Sequence, residues 1–175
     1  MKELADYISH HKCKVPAGLC DRIVAAAESS NLWKVATVGK GEISPNRQCH
    51  AVNLGEWPAL DAEFFTFVTQ ILSEYRVKFP YADVSKDTGY NVLRYRETDH
   101  FKEHVDSYEG SPRVVSCSVA LNDGYKGGEF AFFGGDQVYK LQKGDALVFP
   151  SNFLYPHQIL PVTAGTRYSI VTWFL

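Results

Sequence analysis

The amino-acid sequence predicts a mainly β protein, a sandwich or jelly roll, with a helical layer at its N-terminal end. Before residue 89, apolar residues recur at helical spacing. After residue 89, short runs rich in Val, Tyr, Phe and Thr alternate with glycines. Many short strands at near-regular spacing are typical of sandwiches and jelly rolls rather than of a βαβ sheet.

Two helices are predicted before residue 89. Pro16 can open the first, and the apolar residues of 19–27 follow it with helical spacing. The second carries an apolar stripe that ends before Pro80: Leu60, Phe64, Val68, Ile71, Leu72 and Tyr75. Residues 34–58 are rich in Gly and Pro and are expected to form a long loop or short strands.

Six strands are predicted after residue 89. They are residues 90–95, 113–121, 128–133, 145–149, 155–160 and 167–174. We expect a single domain, residues 1–175, in which 1–88 form a helical and loop support layer and 89–175 form the jelly-roll core. Residues 1–88 are not expected to fold separately, because helix and loop of that length lack a core of their own.

Composition and charge exclude several classes of protein. The net charge is −2 and the pI is about 6.3, so the chain lacks the basic surface that binding to nucleic acid or anionic lipid requires. No apolar run reaches the roughly 20 residues of a membrane helix, and the first residues do not resemble a secretory signal. The four cysteines share no C-x-x-C spacing and are expected to be reduced thiols. We therefore expect a cytoplasmic protein without a membrane or nucleic-acid partner.

Three residues have the chemistry of a metal site. In an extended strand, residues i and i+2 point to the same face, so His104 and Asp106 can converge on one ion. His157 follows about fifty residues later, in a segment expected to be a strand. Taken singly, the first motif is more often a surface His beside an Asp, and His157 is more often a histidine at the end of a strand.

The last predicted strand adds an anion-binding pattern. Arg167 and Ser169 share a face, and a guanidinium with a hydroxyl beside it suits a carboxylate held by two hydrogen bonds. A turn at residues 163–165 is expected to let the strands of His157 and Arg167 pair as neighbours. A buried Arg167 would need an anionic partner, either a bound ligand or an acid distant in sequence.

Two histidines and one carboxylate leave about three faces of an octahedral metal open. This arrangement is typical of non-haem Fe(II) oxygenases, whereas zinc more often takes a closed or three-histidine set. The sequence therefore predicts an iron site at His104, Asp106 and His157.

The β half resembles the catalytic domain of the Fe(II)/2-oxoglutarate-dependent dioxygenases, in particular the prolyl 4-hydroxylase-like branch. The resemblance extends over residues 90–175. Its motifs are Tyr95, His104-x-Asp106, residues 126–130, residues 143–150, His157, and Arg167-Tyr168-Ser169 leading to Trp173. It implies a double-stranded β-helix (jelly roll), hence an α+β domain overall, that binds Fe(II) and 2-oxoglutarate.

The resemblance also implies roles for single residues. Arg167 would pair with the distal carboxylate of 2-oxoglutarate, assisted by Ser169 and the Tyr95 hydroxyl, and Trp173 would form an apolar wall near the metal or be a plain core aromatic. The chemistry implied is hydroxylation of an aliphatic carbon with dioxygen, releasing succinate and CO2, with ascorbate as the reductant. A peptide or protein substrate, peptidyl proline first, is expected, with a free amino acid or small metabolite as the alternative.

Two departures and two competing functions complete the prediction. Collagen-type prolyl hydroxylases tend to have Lys at Arg167, and the oxygen-sensing branch has Tyr at Ala120. Nucleic-acid dealkylases resemble the chain in its metal motif, but they carry a second Arg where this chain has Trp173. A non-catalytic jelly-roll module is disfavoured because all three metal ligands and Arg167 are present.

Overall fold

The computed structural model describes residues 2–175 and contains two antiparallel β-sheets with two α-helices against one of them. The helices are α1 (Ala17–Glu28) and α2 (Pro58–Lys78). The strands are β1 (Ser9–His11), β2 (Lys34–Val35), β3 (Arg47–Gln48), β4 (His50–Asn53), β5 (Asn91–Tyr95), β6 (His100–His104), β7 (Val115–Ala120), β8 (Lys126–Gly127), β9 (Phe130–Phe132), β10 (Gln137–Tyr139), β11 (Ala146–Pro150), β12 (His157–Ile159), β13 (Val162–Ala164) and β14 (Arg167–Phe174). The fold is the predicted mainly β jelly roll with a helical layer.

The two sheets differ in size and lie face to face. The major sheet has seven strands in the order β1-β11-β7-β14-β5-β4-β2, and the minor sheet has five in the order β10-β9-β12-β6-β3. A two-stranded ribbon, β13-β8, joins them at one side. The six strands predicted after residue 89 correspond to β5, β7, β9, β11, β12 and β14.

The major sheet is buried on both faces. Leu93 packs in the cluster between the sheets, whereas its neighbour Val92 packs against the helices. Leu147 and Val148 divide in the same way, because successive side chains of a strand point to opposite faces. This explains why β7 is buried at all six positions.

The helices cover the outer face of the major sheet with the residues that their spacing predicts. Helix α1 begins after Pro16 and buries Leu19, Cys20, Ile23 and Ala27. Helix α2 has Pro58 in its first turn and buries Phe64, Val68, Ile71 and Tyr75. Within residues 2–175 no helix is long and apolar enough to span a membrane. The cysteines are free, and three of the four are buried.

Residues 1–88 contribute more than a support layer. Strands β1, β2 and β4 extend the major sheet, and β3 forms an edge of the minor sheet. The two-part division at residue 89 remains a prediction about the chain. The structure adds that the N-terminal half completes both sheets, because the strands after residue 89 leave edges that short strands can pair with.

One predicted strand pairing is wrong. The strands of His157 and Arg167 are not neighbours: β12 pairs with β6 and β9, whereas β14 pairs with β5 and β7. The segment expected to be a turn is strand β13, which pairs with β8 and carries the chain from the minor sheet to the major sheet. His157 and Arg167 therefore approach the interior from opposite sheets.

Candidate active site

The predicted metal ligands converge at one end of the minor sheet. His104 is the last residue of β6, and it lies directly opposite His157, the first residue of β12. The Nε2 atoms of His104 and His157 lie 3.6 and 3.5 Å from the two carboxylate oxygens of Asp106. One ligand atom from each residue lies within 4.8 Å of the others, so the three can hold one metal ion.

The local geometry differs from the expectation that His104 and Asp106 share a strand. Strand β6 ends at His104, and Asp106 lies in the loop that follows it. Convergence therefore depends on the turn of the chain after the strand rather than on strand alternation.

The hydrogen bonds of both histidines suit a metal ligand. His104 Nδ1 lies 2.8 Å from the Lys102 carbonyl oxygen, and His157 Nδ1 lies 3.0 Å from that of Tyr155. Because a carbonyl oxygen only accepts, each Nδ1 carries the proton and each Nε2 keeps its lone pair for a metal. Burial, reinforced by the nearby His157, lowers the pKa of His104 to about 4, which keeps its imidazole neutral.

Asp106 is held as a carboxylate. Burial by itself would raise the pKa of Asp106, but the attraction of His157 and His104 when they are protonated, together with the hydrogen bond from Ser116, outweighs burial and keeps the pKa below its ordinary value. The Ser116 hydroxyl donates to Asp106 Oδ2 at 2.6 Å and lies 2.7 Å from the Ser151 hydroxyl. Ser116 and Ser151 are both fully buried, so these bonds orient the carboxylate without competition from water.

Aromatic rings fix the two imidazoles. Phe101 stacks on His104 with ring centroids 3.5 Å apart, and Phe149 meets His157 edge-on at 4.8 Å. These contacts restrict the rotation of the imidazoles, which preorganises the donor set.

Arg167 faces the same interior from the major sheet. Its side chain is 2% exposed, and its Nη1 donates to the Ser169 hydroxyl at 2.8 Å. No carboxylate among residues 2–175 lies within 4.0 Å of it, and its Nε is buried without a partner. Because burying an unpaired charge costs free energy, the Arg167 guanidinium would be stabilised by a bound anion.

Gly128 makes room for Arg167. Its φ is +70°, and a Cβ built there would lie 2.9 Å from Arg167 Cδ and 3.1 Å from Val162 Cγ2. The absence of a side chain at Gly128 thus provides space beside the guanidinium stem.

The remaining predicted residues lie around an inner cavity that contains Tyr95, Arg167, Ser169 and Trp173 in its wall, together with all three metal-ligating residues. Tyr95 pairs with Arg167 across β5 and β14, and its ring centroid is 5.1 Å from the guanidinium carbon. Burial raises the pKa of Tyr95, so its hydroxyl stays protonated and can donate. Trp173 is half-buried beside Asp106 at the exit of this cavity.

An outer cavity of about 430 Å³ opens from the metal-ligating residues to solvent. Its lining includes residues 36–39, Ser44, residues 46–47, residues 101–106 and Arg113. Arg47 and Arg113 line it, and neither was singled out from the sequence. No local signal marks Arg47, because it comes from the N-terminal half, and Arg113 becomes notable only once its contact with Trp173 is known. The same holds for Ser116, an ordinary strand serine by its pattern.

A jelly roll with two histidines and one carboxylate facing its interior defines a class of mononuclear metal-binding proteins. Residues 90–175 match the 2OG-Fe(II) oxygenase superfamily. Over these residues the chain is similar to that superfamily, which consists of oxidoreductases.

Relatives and solved structures agree with this assignment. A PKHD-type hydroxylase of Maricaulis maris is 35% identical over 88 residues, 47% of this chain and 39% of the relative. One from Rippkaea orientalis is 34% identical over 89 residues, 46% of this chain and 39% of the relative. The match thus spans less than half the length of these relatives.

The fold extends the likeness to nearly the whole chain. A prolyl hydroxylase from Trichoplax adhaerens, solved with a hypoxia inducible factor peptide fragment, has a TM-score of 0.80 at 16% identity and covers 97% of this chain and 83% of its own. A Pseudomonas putida prolyl-4-hydroxylase has a TM-score of 0.74 at 19% identity, over 96% of this chain and 91% of its own.

Proposed function

We propose that the chain is an Fe(II)- and 2-oxoglutarate-dependent dioxygenase that hydroxylates an aliphatic carbon. The observation that carries this proposal is the pairing of two features across one cavity. Three neutral or anionic metal donors lie within 4.8 Å of one another, and a buried arginine without an acidic partner lines the same inner cavity. A dicarboxylate that chelates the metal and neutralises the arginine would satisfy both.

The donor set fits Fe(II). His104, Asp106 and His157 would supply two imidazole nitrogens and one carboxylate oxygen, a set that suits iron and leaves positions for other ligands. When bound, Fe(II) and 2-oxoglutarate supply the oxidation of an aliphatic C–H bond by dioxygen, with succinate and CO2 as coproducts and ascorbate as the reductant that keeps the iron reduced.

The side chains of the site would bind 2-oxoglutarate, orient the metal ligands and exclude water from the substrate. Arg167 would hold the distal carboxylate of 2-oxoglutarate through two charge-assisted hydrogen bonds, with the Ser169 and Tyr95 hydroxyls beside it. Ser116 keeps Asp106 oriented, and Phe101 and Phe149 keep the two imidazoles in place. Trp173 would border the substrate at the junction of the two cavities and exclude water from the reacting carbon.

The proposed substrate is a peptidyl proline. The support is the likeness to prolyl hydroxylases and to PKHD-type hydroxylases, together with an outer cavity open enough for an extended peptide. The alternative is a free amino acid or small metabolite under the same chemistry.

The buried free thiols suit a reducing compartment, and we propose the cytoplasm.

The test uses the full chain loaded with Fe(II), with 2-oxoglutarate and ascorbate. Proline-containing peptides, free amino acids and a methylated oligonucleotide are supplied separately. We expect succinate release coupled to a product that gains one oxygen by mass spectrometry, first with the peptides. Coupled turnover on the amino acids alone would replace the peptide substrate. Absence of coupled turnover on every compound, with iron binding verified, would overturn the enzymatic proposal.

A further inference from the structure

The outer cavity carries more positive than negative charge. Its basic side chains are Arg47, Lys102 and Arg113, and its acidic ones are Glu103 and Asp106. The Glu103 carboxylate accepts from the Gly134 amide at 3.1 Å, and Asp106 lies between the two imidazoles. Neither acid forms a salt bridge to an arginine of the cavity. Although the net charge of the chain is −2, the side chains at the entrance to the site carry a net positive charge.

Arg47 lies on β3 and is half-buried. Its Nη1 donates to the Thr37 carbonyl at 2.7 Å, and its guanidinium carbon lies 4.8 Å from the centroid of the Phe101 ring. Its Nε is buried without a hydrogen-bond partner. The guanidinium is thus positioned at the wall that carries His104, but it has no anionic partner.

Arg113 borders the cavity from the opposite loop. Its guanidinium carbon lies 3.7 Å from the centroid of the Trp173 ring, and its Nη1 donates to the Asp106 carbonyl at 3.1 Å. Its Nε is also buried without a partner. A guanidinium stacked on an aromatic ring keeps its in-plane edge available for a carboxylate.

Two other arginines of the chain have acidic partners. Arg94 pairs with Glu28 at 2.8 Å, and Arg22 pairs with Glu63 at 2.6 Å. Arg167 has none, which the proposed 2-oxoglutarate would remedy. By the same reasoning, Arg47 and Arg113 would be stabilised by an anion from outside the chain, because partial burial of an unpaired charge costs free energy.

We propose that Arg47 and Arg113 form a subsite for a carboxylate of the substrate itself, next to the carbon that is hydroxylated. This inference rests on the proposed function and specifies its substrate class. Arg167 lines the inner cavity and not the outer one, Arg113 lines the outer cavity alone, and Arg47 lies where the two cavities meet, so the subsite adjoins the place of 2-oxoglutarate on the outer side. Two guanidinium groups suit a planar carboxylate, because each presents its N–H donors in one plane.

The carboxylate can come from two sources: an Asp or Glu side chain beside a peptidyl proline, or the α-carboxylate of a free amino acid. Two matched substrate pairs distinguish them. One is a blocked proline peptide with a neighbouring Glu against its Gln counterpart, and the other is L-proline against L-prolinamide. We expect the anionic member of one pair to have a kcat/KM at least about tenfold higher, the size typical of a charge-assisted pair. Equal kcat/KM within about twofold in both pairs would overturn the inference, as would preferred turnover of a methylated oligonucleotide.

Variants of the protein test which residues form the subsite. Arg47→Gln and Arg113→Gln should each reduce the preference for the anionic substrate to about twofold while leaving the KM for 2-oxoglutarate unchanged. Arg113→Lys should keep part of the preference, since it retains the charge but loses the fork. Arg76→Gln, an exposed arginine of α2, is the matched control and should keep the full preference. A preference that survives both Gln variants, or a rise in the 2-oxoglutarate KM in Arg47→Gln, would overturn the assignment.

A binding measurement separates this inference from the proposed function. Fluorescence anisotropy with labelled Glu and Gln peptides is recorded on the metal-free protein, and thermal melting verifies that each variant is folded. Selective binding of the Glu peptide that both Gln variants lose would support the subsite even if no product gained oxygen. Coupled turnover on the Gln peptide, with equal binding of the two peptides and no preference for L-proline, would reject the subsite and leave the dioxygenase proposal intact.

Discussion

Ser116 illustrates how a single hydroxyl supports the metal-ligating carboxylate. It is fully buried and donates to Asp106 at 2.6 Å. Ser116→Ala should weaken Fe(II) affinity by about 10- to 100-fold, the usual cost of removing a group that orients a metal ligand. Equilibrium metal titration under anaerobic conditions measures it. Thr172→Val is the control, because the Thr172 hydroxyl is buried without a partner and its loss should change affinity by less than about twofold. Equal effects in both variants would contradict the orienting role.

Arg167 is the residue on which cosubstrate binding should depend most. Arg167→Ala should raise the KM for 2-oxoglutarate at least about tenfold, because truncating one partner of a buried charge pair costs about 2–5 kcal/mol. The iron affinity should change little. Arg167→Lys should have a milder effect, since lysine keeps the charge without the planar fork. Steady-state kinetics with 2-oxoglutarate varied measures both, and an unchanged KM in the alanine variant would refute the carboxylate role.

Gly128 and Gly134 form a matched pair that isolates the space beside Arg167. Both have positive φ, +70° and +68°, so alanine should cost each about 1–2 kcal/mol of stability. Only at Gly128 would the new Cβ meet Arg167 Cδ, whereas Gly134 has open space around it. Gly128→Ala should therefore raise the KM for 2-oxoglutarate in addition, by about tenfold if the loss is about 1.4 kcal/mol. Similar KM values in the two variants would show that the clash is relieved elsewhere.

At the scale of elements, Asp145 joins the N-terminal segment to the turn before β11. Its carboxylate accepts from the Cys13 amide at 2.8 Å and from the Gln142 amide at 3.1 Å, and it lies 2.8 Å from His10 Nε2. The Gly144 carbonyl accepts from the amides of residues 14 and 15 in the same contact. These bonds position the short strand β1 on the edge of the major sheet.

Asp145 should also give the fold an acid-sensitive contribution to stability. Burial alone would raise its pKa, but the hydrogen bonds from Cys13, His10 and Gln142 outweigh burial and lower the pKa. Because the folded state then binds the proton less readily than the unfolded state, the contribution is complete above the unfolded pKa near 4 and is lost as pH falls through the lower folded pKa. Asp145→Asn should lower the free energy of unfolding by about 1–3 kcal/mol at neutral pH and flatten its decline below about pH 4.

Urea unfolding from pH 7 to pH 2.5 measures this prediction. Asp136→Asn, at an exposed residue just before β10, is the control and should leave both the stability and its pH profile nearly unchanged. A parallel pH profile for wild type and Asp145→Asn would contradict the proposed linkage.

At the scale of the whole molecule, the site lies against the hydrophobic cluster between the sheets, where Phe149 contacts His157, whereas a larger cluster packs between the helices and the major sheet. The cluster between the helices and the major sheet contains none of the three metal-ligating residues. His157→Ala should abolish coupled turnover and iron binding while circular dichroism stays that of a folded protein. Chelation of wild type should lower its stability only by the binding contribution, about 2.7 kcal/mol at a metal concentration of 100 Kd. Unfolding of the chelated protein at room temperature would contradict an independent scaffold.

The arrangement of the two sheets explains how the site is assembled. Metal ligands project from the minor sheet and its following loop, and the arginine with its serine projects from the major sheet. The N-terminal half adds Arg47 through β3, at the edge of the minor sheet. Three separate parts of the chain thus line the inner cavity.

The sequence by itself determined what depends on local spacing and residue chemistry. The helical stripes, the six predicted strands of the β half, and the proximity of His104, Asp106 and His157 could all be predicted from it. The shared face of Arg167 and Ser169 could also be predicted, because alternation along a strand is a property of neighbouring residues. The resemblance to a known family added Tyr95 and Trp173.

Only the tertiary structure decided which strands pair and which distant residues meet. The sequence places His157 and Arg167 ten residues apart and suggests a hairpin, whereas the chain crosses from one sheet to the other between them. Ser116 and the two arginines of the outer cavity likewise acquire meaning only from partners far along the chain. Strand pairing and side-chain contacts between distant segments depend on how the whole core packs. The spacing of residues within one segment does not determine this packing.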